Sequence, residues 1–208
     1  MASALFLIGA GVAAALLVLL VLTLVFPALR IWPTPGVGSW QSYVFWPLFR
    51  LLNVLCFAVA AGTYGHFLGL PVWIRVAALV ALVTSIAIFI YSFRVLGRDN
   101  SYGAQDGLVT GGIYHWSRNP QNAMLVVVYG ALAVAADSGP AYALCGAMMA
   151  VYVLMVLAEE PWLELAYGEP YRDYCRRVPR FFNWGLAAVE ARRLLQGKPP
   201  ADPVNRGR

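Results

Sequence analysis

Hydrophobic positions fall into long apolar runs separated by short polar stretches. A helix that crosses a bilayer needs about 20 mostly apolar residues. Three runs meet that length. The first extends from Leu5 to Phe26 and is closed by Pro27. It lacks a positive leader and exceeds the apolar core of a signal peptide, so it reads as a retained helix. The second extends from Tyr43 to Phe67, with Arg50 near its start and His66 near its end. The third extends from Val72 to Phe93, with Arg75 in its first turn. Arg50 and Arg75 read as side chains that snorkel from helix ends.

Two shorter runs follow, Gln121 to Ala136 and Ala141 to Ala158. Only Asp137, Ser138, Gly139 and Pro140 separate them, a tight-turn composition. They read as a helical hairpin of about 24–27 Å per arm, slightly short of the hydrocarbon thickness. Such arms are expected to end at a polar pocket. Between the third and fourth runs, Arg94 to Pro120 is polar and glycine-bearing, including Arg98, Asp99, Asn100, Ser101, Gly103 and Asp106. A connection of that length in a compact domain is often functional. Beyond Ala158, Trp162, Tyr167, Tyr171 and Tyr174 alternate with Arg172, Arg176, Arg177 and Arg180. That mixture suits a helix lying at the membrane surface. From Leu186 onward the chain is polar and is expected to lack fixed structure.

Composition supports the membrane reading. Of 208 residues, 61% are hydrophobic and 12% charged, against roughly 25% charged in a soluble domain. The expected fold is therefore all-α and multi-pass, with about five spans. It divides into N-terminal helices (residues 1–98), a loop, hairpin and interfacial tail (99–185) and a polar tail (186–208). Charge placement fixes an orientation. Met1 to Leu29 carries no charge, whereas Arg172 to Arg208 carries nine Lys or Arg. With the N-terminus outside, Arg30, the loop from Arg94 to Arg118 and the tail all fall on the cytoplasmic side. The connections around Gly69 and Gly139, which carry no Lys or Arg, fall outside, as the positive-inside rule requires. The basic tail marks the cytoplasmic side, and no nucleic-acid partner is expected. Cys56, Cys145 and Cys175 form no CxxC pair and no zinc spacing, so no metal site is expected.

Polar groups at membrane depth face a protein interior or a water-filled cavity. Two clusters qualify: Tyr114, His115, Trp116, Ser117, Arg118, Asn119 and Pro120 before the fourth helix, and Glu159–Glu160 after the fifth. A hairpin brings both to the same cytoplasmic end. Two readings stand side by side. In one, an arginine and two carboxylates line a half-buried site. In the other, Arg118 pairs with Glu159 or Glu160 only to close the hairpin, and the aromatics are interfacial anchors.

An ordered set of short motifs bears on that choice. Gly107-Leu108-Val109-Thr110-Gly111-Gly112-Ile113-Tyr114 precedes Arg118-Asn119-Pro120 and the hairpin. Glu159-Glu160, Tyr167-Gly168-Glu169-Pro170-Tyr171 and Arg177-Val178-Pro179-Arg180-Phe181 follow. This resembles the C-terminal signature of the isoprenylcysteine carboxyl methyltransferase and phospholipid N-methyltransferase superfamily, over about Asp99 to Phe182. The resemblance implies an S-adenosylmethionine-dependent membrane methyltransferase whose cofactor is enclosed between the loop and the tail. It implies contacts from Leu108, Val109 and Tyr114, and from Arg118, Asn119, Pro120, Gln121 and Asn122 in the stretch before the fourth helix. Glu159 or Glu160 would bind the amino group of the methionine moiety. Asn119 stands where the family has a histidine, and Asn122 where it has a tyrosine. Met155 replaces an arginine that the carboxyl methyltransferases carry, so a prenylcysteine carboxylate is disfavoured. The acceptor implied is a lipophilic molecule or membrane lipid, with a phospholipid amine a candidate. His115 is a candidate base for an amine acceptor, against the ordinary reading of a solvated loop histidine. Two other functions compete: a nicotinamide-dependent membrane reductase related to sterol reductases, and a non-catalytic membrane protein.

Overall fold

The computed structural model describes residues 2–36, 38–97, 107–182 and Gln196, and every regular element among them is helical. The loop residues from Arg98 to Asp106 and the polar tail, Gln196 apart, lie outside the described residues. Among the described residues six α-helices follow one another: α1 (Ala2–Val25), α2 (Trp40–Gly62), α3 (Val72–Leu96), α4 (Pro120–Ala136), α5 (Gly139–Tyr167) and α6 (Glu169–Arg177). Four of them, α1, α2, α3 and α5, are long and apolar enough to cross a membrane, and α4 is a shorter apolar helix. The chain is an integral membrane protein.

Local chemistry sets the boundaries. Ser39 caps α2 by accepting from the Ser42 N–H at 3.2 Å, and Ser138 caps α5 by accepting from the Ala141 N–H at 3.3 Å. Pro120 opens α4, where its missing N–H costs nothing. At Gly168 the backbone turns to φ +59° with ψ −133°, a conformation open to glycine, and α6 departs from there.

The α5 helix departs from expectation. It does not stop at Ala158 but runs through Pro161 to Tyr167, 29 residues in all, or about 43 Å. Pro161 removes one backbone bond. Glutamate, leucine and alanine on either side are strong helix formers and carry the helix past it. Glu159 and Glu160 thus lie within the helix, and the short-arm expectation holds only for α4, at 17 residues.

α5 is central. α1 and α2 pack on one side of it and α4 on another, with α3 laid against α4. The core holds Leu16, Leu20, Phe45, Leu52, Val59, Leu144, Met148 and Val151. Gly9 lets α1 approach α5 closely: a Cβ there would lie 2.8 Å from a Leu144 methyl. Along the bundle α2 and α3 hardly touch.

The α2–α3 and α4–α5 connections meet at one end of the bundle. Buried Asp137 accepts from the backbone N–H of Leu68 (2.9 Å) and Leu70 (3.0 Å), and from the Tyr142 hydroxyl (3.3 Å). Arg75 is 4% exposed. It donates to the carbonyls of Gly65, Ala135 and Ala136 and lies 3.8 Å from the Tyr64 ring centroid. Arg75 therefore closes the open C-terminal carbonyls of α4 and does not snorkel. The α1–α2, α3–α4 and post-α5 segments gather at the opposite end.

Candidate active site

At that opposite end a cavity of about 670 Å³ opens among the loop, α2, α3, α4, α5 and the tail, within the range of small-molecule sites. It has two sectors. The outer sector is bounded by Leu108, Val109, Tyr114, Arg118, Glu159 and Tyr167. The inner sector lies among Trp46, Phe49, Asn53, Phe89, Phe93 and Tyr152.

The tail is fastened over the loop by specific bonds. Arg118 N–H donates to the Pro179 carbonyl at 3.0 Å, and the Asn119 amide donates to the Arg180 carbonyl at 3.1 Å. The Tyr174 hydroxyl donates to the Tyr114 carbonyl at 2.5 Å. Tyr171, Tyr174 and Val178 form a small buried cluster with Leu108, Leu163 and Tyr167 against them. Burial raises the Tyr114, Tyr171 and Tyr174 hydroxyls, so all three stay protonated at neutral pH. On the exposed face of α6, Arg172 and Arg176 pair with Glu164, Glu169 and Asp173. Surface pairs of this kind contribute little.

The two glutamates separate by their position on the helix. Successive residues project about 100° apart, so adjacent carboxylates meet different surroundings. Glu160 forms an ion pair with Arg118 at 3.2 Å and accepts a hydrogen bond from Arg180 at 2.6 Å, tying the loop and the tail to α5. It does not line the cavity. Glu159 does, and none of its partners among the described residues is a cation. Its neighbours are the Trp32 indole and Glu160. A carboxylate in a largely aromatic cavity without a cation is costly unless a ligand supplies one.

Of the other expected site residues, Leu108, Val109, Tyr114, Arg118, Asn119, Gln121 and Asn122 all line the cavity. Gln121 interacts with the Tyr114 side chain and donates to the Ser92 carbonyl at 3.4 Å. Pro120 is buried at the start of α4 and acts on backbone geometry. His115 lies in the short turn Gly112–His115 with its ring edge-on to Trp116, outside the cavity wall. Sequence reasoning did not find Trp32, Trp162 or the inner sector. Trp32 comes from the α1–α2 connection, 127 positions before Glu159, and no local signal in the sequence marks it. Arg30 caps this corner with its guanidinium 5.0 Å from the Trp162 ring centroid. Among the described residues no group of His, Cys, Asp and Glu is arranged to hold a metal.

Comparison with known proteins gives one family. No curated protein and no solved structure matches the chain. Residues 73–170, which run from the start of α3 to the start of α6, match the model of the phospholipid methyltransferase family. That stretch is thus similar to a phospholipid methyltransferase domain, matching the membrane methyltransferase superfamily that the loop, hairpin and tail motifs resemble.

Proposed function

We propose that the protein is an S-adenosylmethionine-dependent methyltransferase whose acceptor is a membrane lipid or similar amphiphile. The observation that carries this reading is the Glu159 carboxylate, which faces a partly enclosed cavity and has no cation of its own. A cationic ligand fits that donor set. The ammonium of the methionine moiety would bond to Glu159, and the sulfonium charge would sit among aromatic faces. Leu108, Val109 and Tyr114 would flank the rest of the molecule, with Gln121 and Asn122 offering side-chain amides at the base of α4. The chemistry supplied by the bound cofactor is an activated methyl group, open to in-line attack.

The work left to the protein is placement and exclusion of water. Glu160, held by Arg118 and Arg180, keeps loop and tail closed over the outer sector. The inner sector receives the acceptor from the lipid side. His115 lies outside the cavity wall, and the buried tyrosines hold their protons. Among the described residues this leaves Glu159, engaged with the cofactor ammonium, as the ionisable carboxyl in the cavity wall, and an amine acceptor would enter in its neutral form. The charge rule places the loop and the C-terminus on the cytoplasmic side.

Thermal-shift titration of the purified protein in nanodiscs tests this reading. S-adenosylhomocysteine should stabilise it in a saturable way, and NADPH should not. Stabilisation by NADPH alone would replace the methyltransferase reading with a reductase one. No response to either ligand in folded protein would remove both.

A further inference from the structure

The inner sector contains a charge that the cofactor reading does not use. Arg50 is the eleventh residue of the 23-residue α2. At 1.5 Å per residue it lies about 15 Å from the start of the helix and about 18 Å from its end. It lines the cavity and is exposed on the surface of α2. Its guanidinium lies 5.6 Å from the Trp46 ring centroid. Among the described residues it has no ion pair and no hydrogen bond. A cation at that depth in a spanning helix is costly and is retained where an anion or water meets it.

The surroundings say where the anion comes from. Val54, one turn further along α2, also lines the cavity and is 65% exposed. On the facing side, α3 contributes Phe89 and Phe93, and α2 and α3 hardly touch. The cavity thus reaches the lipid-facing surface of the bundle between these two helices, with apolar side chains around the mouth and one guanidinium at its edge. With α2 and α3 crossing a bilayer, that mouth would face lipid rather than bulk water.

We propose that Arg50 is the acceptor-binding residue of the site, holding the phosphodiester of a phospholipid that enters sideways between α2 and α3. Arginine suits the role because its planar fork donates two parallel hydrogen bonds to phosphate oxygens. Deeper in the same sector, Asn53 accepts from the Tyr129 and Tyr152 hydroxyls and donates to the Phe49 carbonyl at 2.7 Å. This fixed polar floor limits how far a head group can descend. The proposal rests on the methyltransferase reading only in making the bound lipid the acceptor. Arg50 lies outside residues 73–170, so the family match does not assign it.

The test compares the wild type with Arg50→Gln and Arg50→Lys, all in neutral detergent and all shown to unfold cooperatively. The probes are a short-chain phosphatidylethanolamine, the matching diacylglycerol, the matching fatty acid and inorganic phosphate, with binding read from tryptophan fluorescence. The wild type should bind the phospholipid at least about tenfold tighter than the diacylglycerol. Arg50→Gln should bind the two alike, and Arg50→Lys should fall between. S-adenosylhomocysteine affinity should stay within about twofold across all three proteins. Undiminished phospholipid preference in Arg50→Gln would overturn the proposal, as would the absence of any preference in the wild type. Competition by inorganic phosphate or fatty acid as effective as the phospholipid would overturn the lipid phosphodiester as the ligand. A lost phospholipid preference in Arg50→Gln, in a protein that never binds S-adenosylhomocysteine, would keep the Arg50 assignment and remove the methyltransferase reading.

Discussion

Replacing Glu159 with glutamine preserves shape and removes one charge. In the folded protein that charge has no cationic partner among the described residues, only Trp32 and the like-charged Glu160 nearby. Its loss should therefore leave the melting temperature unchanged or slightly higher. A bound ammonium is a different matter. Charge-assisted hydrogen bonds to a partly buried carboxylate are worth about 1.5–3 kcal/mol, which is roughly 10- to 150-fold in affinity. Isothermal titration of S-adenosylhomocysteine into nanodisc-embedded protein reads this directly. Glu160→Gln is the matched control, because its carboxylate is 14% exposed and already carries Arg118 and Arg180. That change should lower thermal stability by about 1–3 kcal/mol, with a smaller effect on affinity that follows from a looser tail. The reasoning fails if Glu159→Gln binds as tightly as the wild type, or if the two variants behave alike.

Three further outcomes follow from the same geometry. In a double-mutant cycle, Arg118→Gln and Glu160→Gln should couple in stability by about 1 kcal/mol or more, while Arg118→Gln and Glu159→Gln should be additive. Tyr174→Phe removes the 2.5 Å bond to the Tyr114 carbonyl and should cost about 0.5–1.5 kcal/mol, with faster proteolysis of the tail as the readout. At the opposite end, burial pushes the Asp137 carboxyl up, but the Leu68 and Leu70 N–H groups, Tyr142 and Arg75 together hold it below the usual range. The folded value thus lies below the unfolded one, so this stabilisation is complete above about pH 4. It is lost as pH falls through the folded value. Asp137→Asn should lower the melting temperature at pH 7 and flatten that acid decline, as thermal unfolding followed between pH 3 and pH 7, about the carboxylate range, will measure.

The first three helices were legible because each is a long apolar run, and the hairpin because a tight-turn composition separates its two shorter runs. What the pattern hid has physical causes. The hydropathy drop at Glu159 reads as a helix end, yet polarity and helix propensity are separate quantities, and α5 continues through Pro161. The division of labour between Glu159 and Glu160 depends on a 100° rotation that adjacency in the sequence conceals. Arg50 reads as a terminal snorkelling residue until α2 is seen to begin at Trp40, which moves it to the middle of the helix. Arg75 does lie at a helix end, but its three carbonyl partners come from the α2–α3 connection and from the end of α4, which only packing brings together. Trp32 reaches the cavity from a segment with no motif at all.

Methyl transfer itself is the most direct test. Purified protein in nanodiscs containing phosphatidylethanolamine would be incubated with S-adenosylmethionine labelled in its methyl group, beside Glu159→Gln and Arg50→Gln. Label should enter the organic-soluble lipid fraction with the wild type and fall at least about tenfold with either variant, in step with the binding losses expected for each. Label confined to the aqueous phase across nanodiscs made with extracted membrane lipids, from folded protein that binds S-adenosylhomocysteine, would contradict a lipid acceptor.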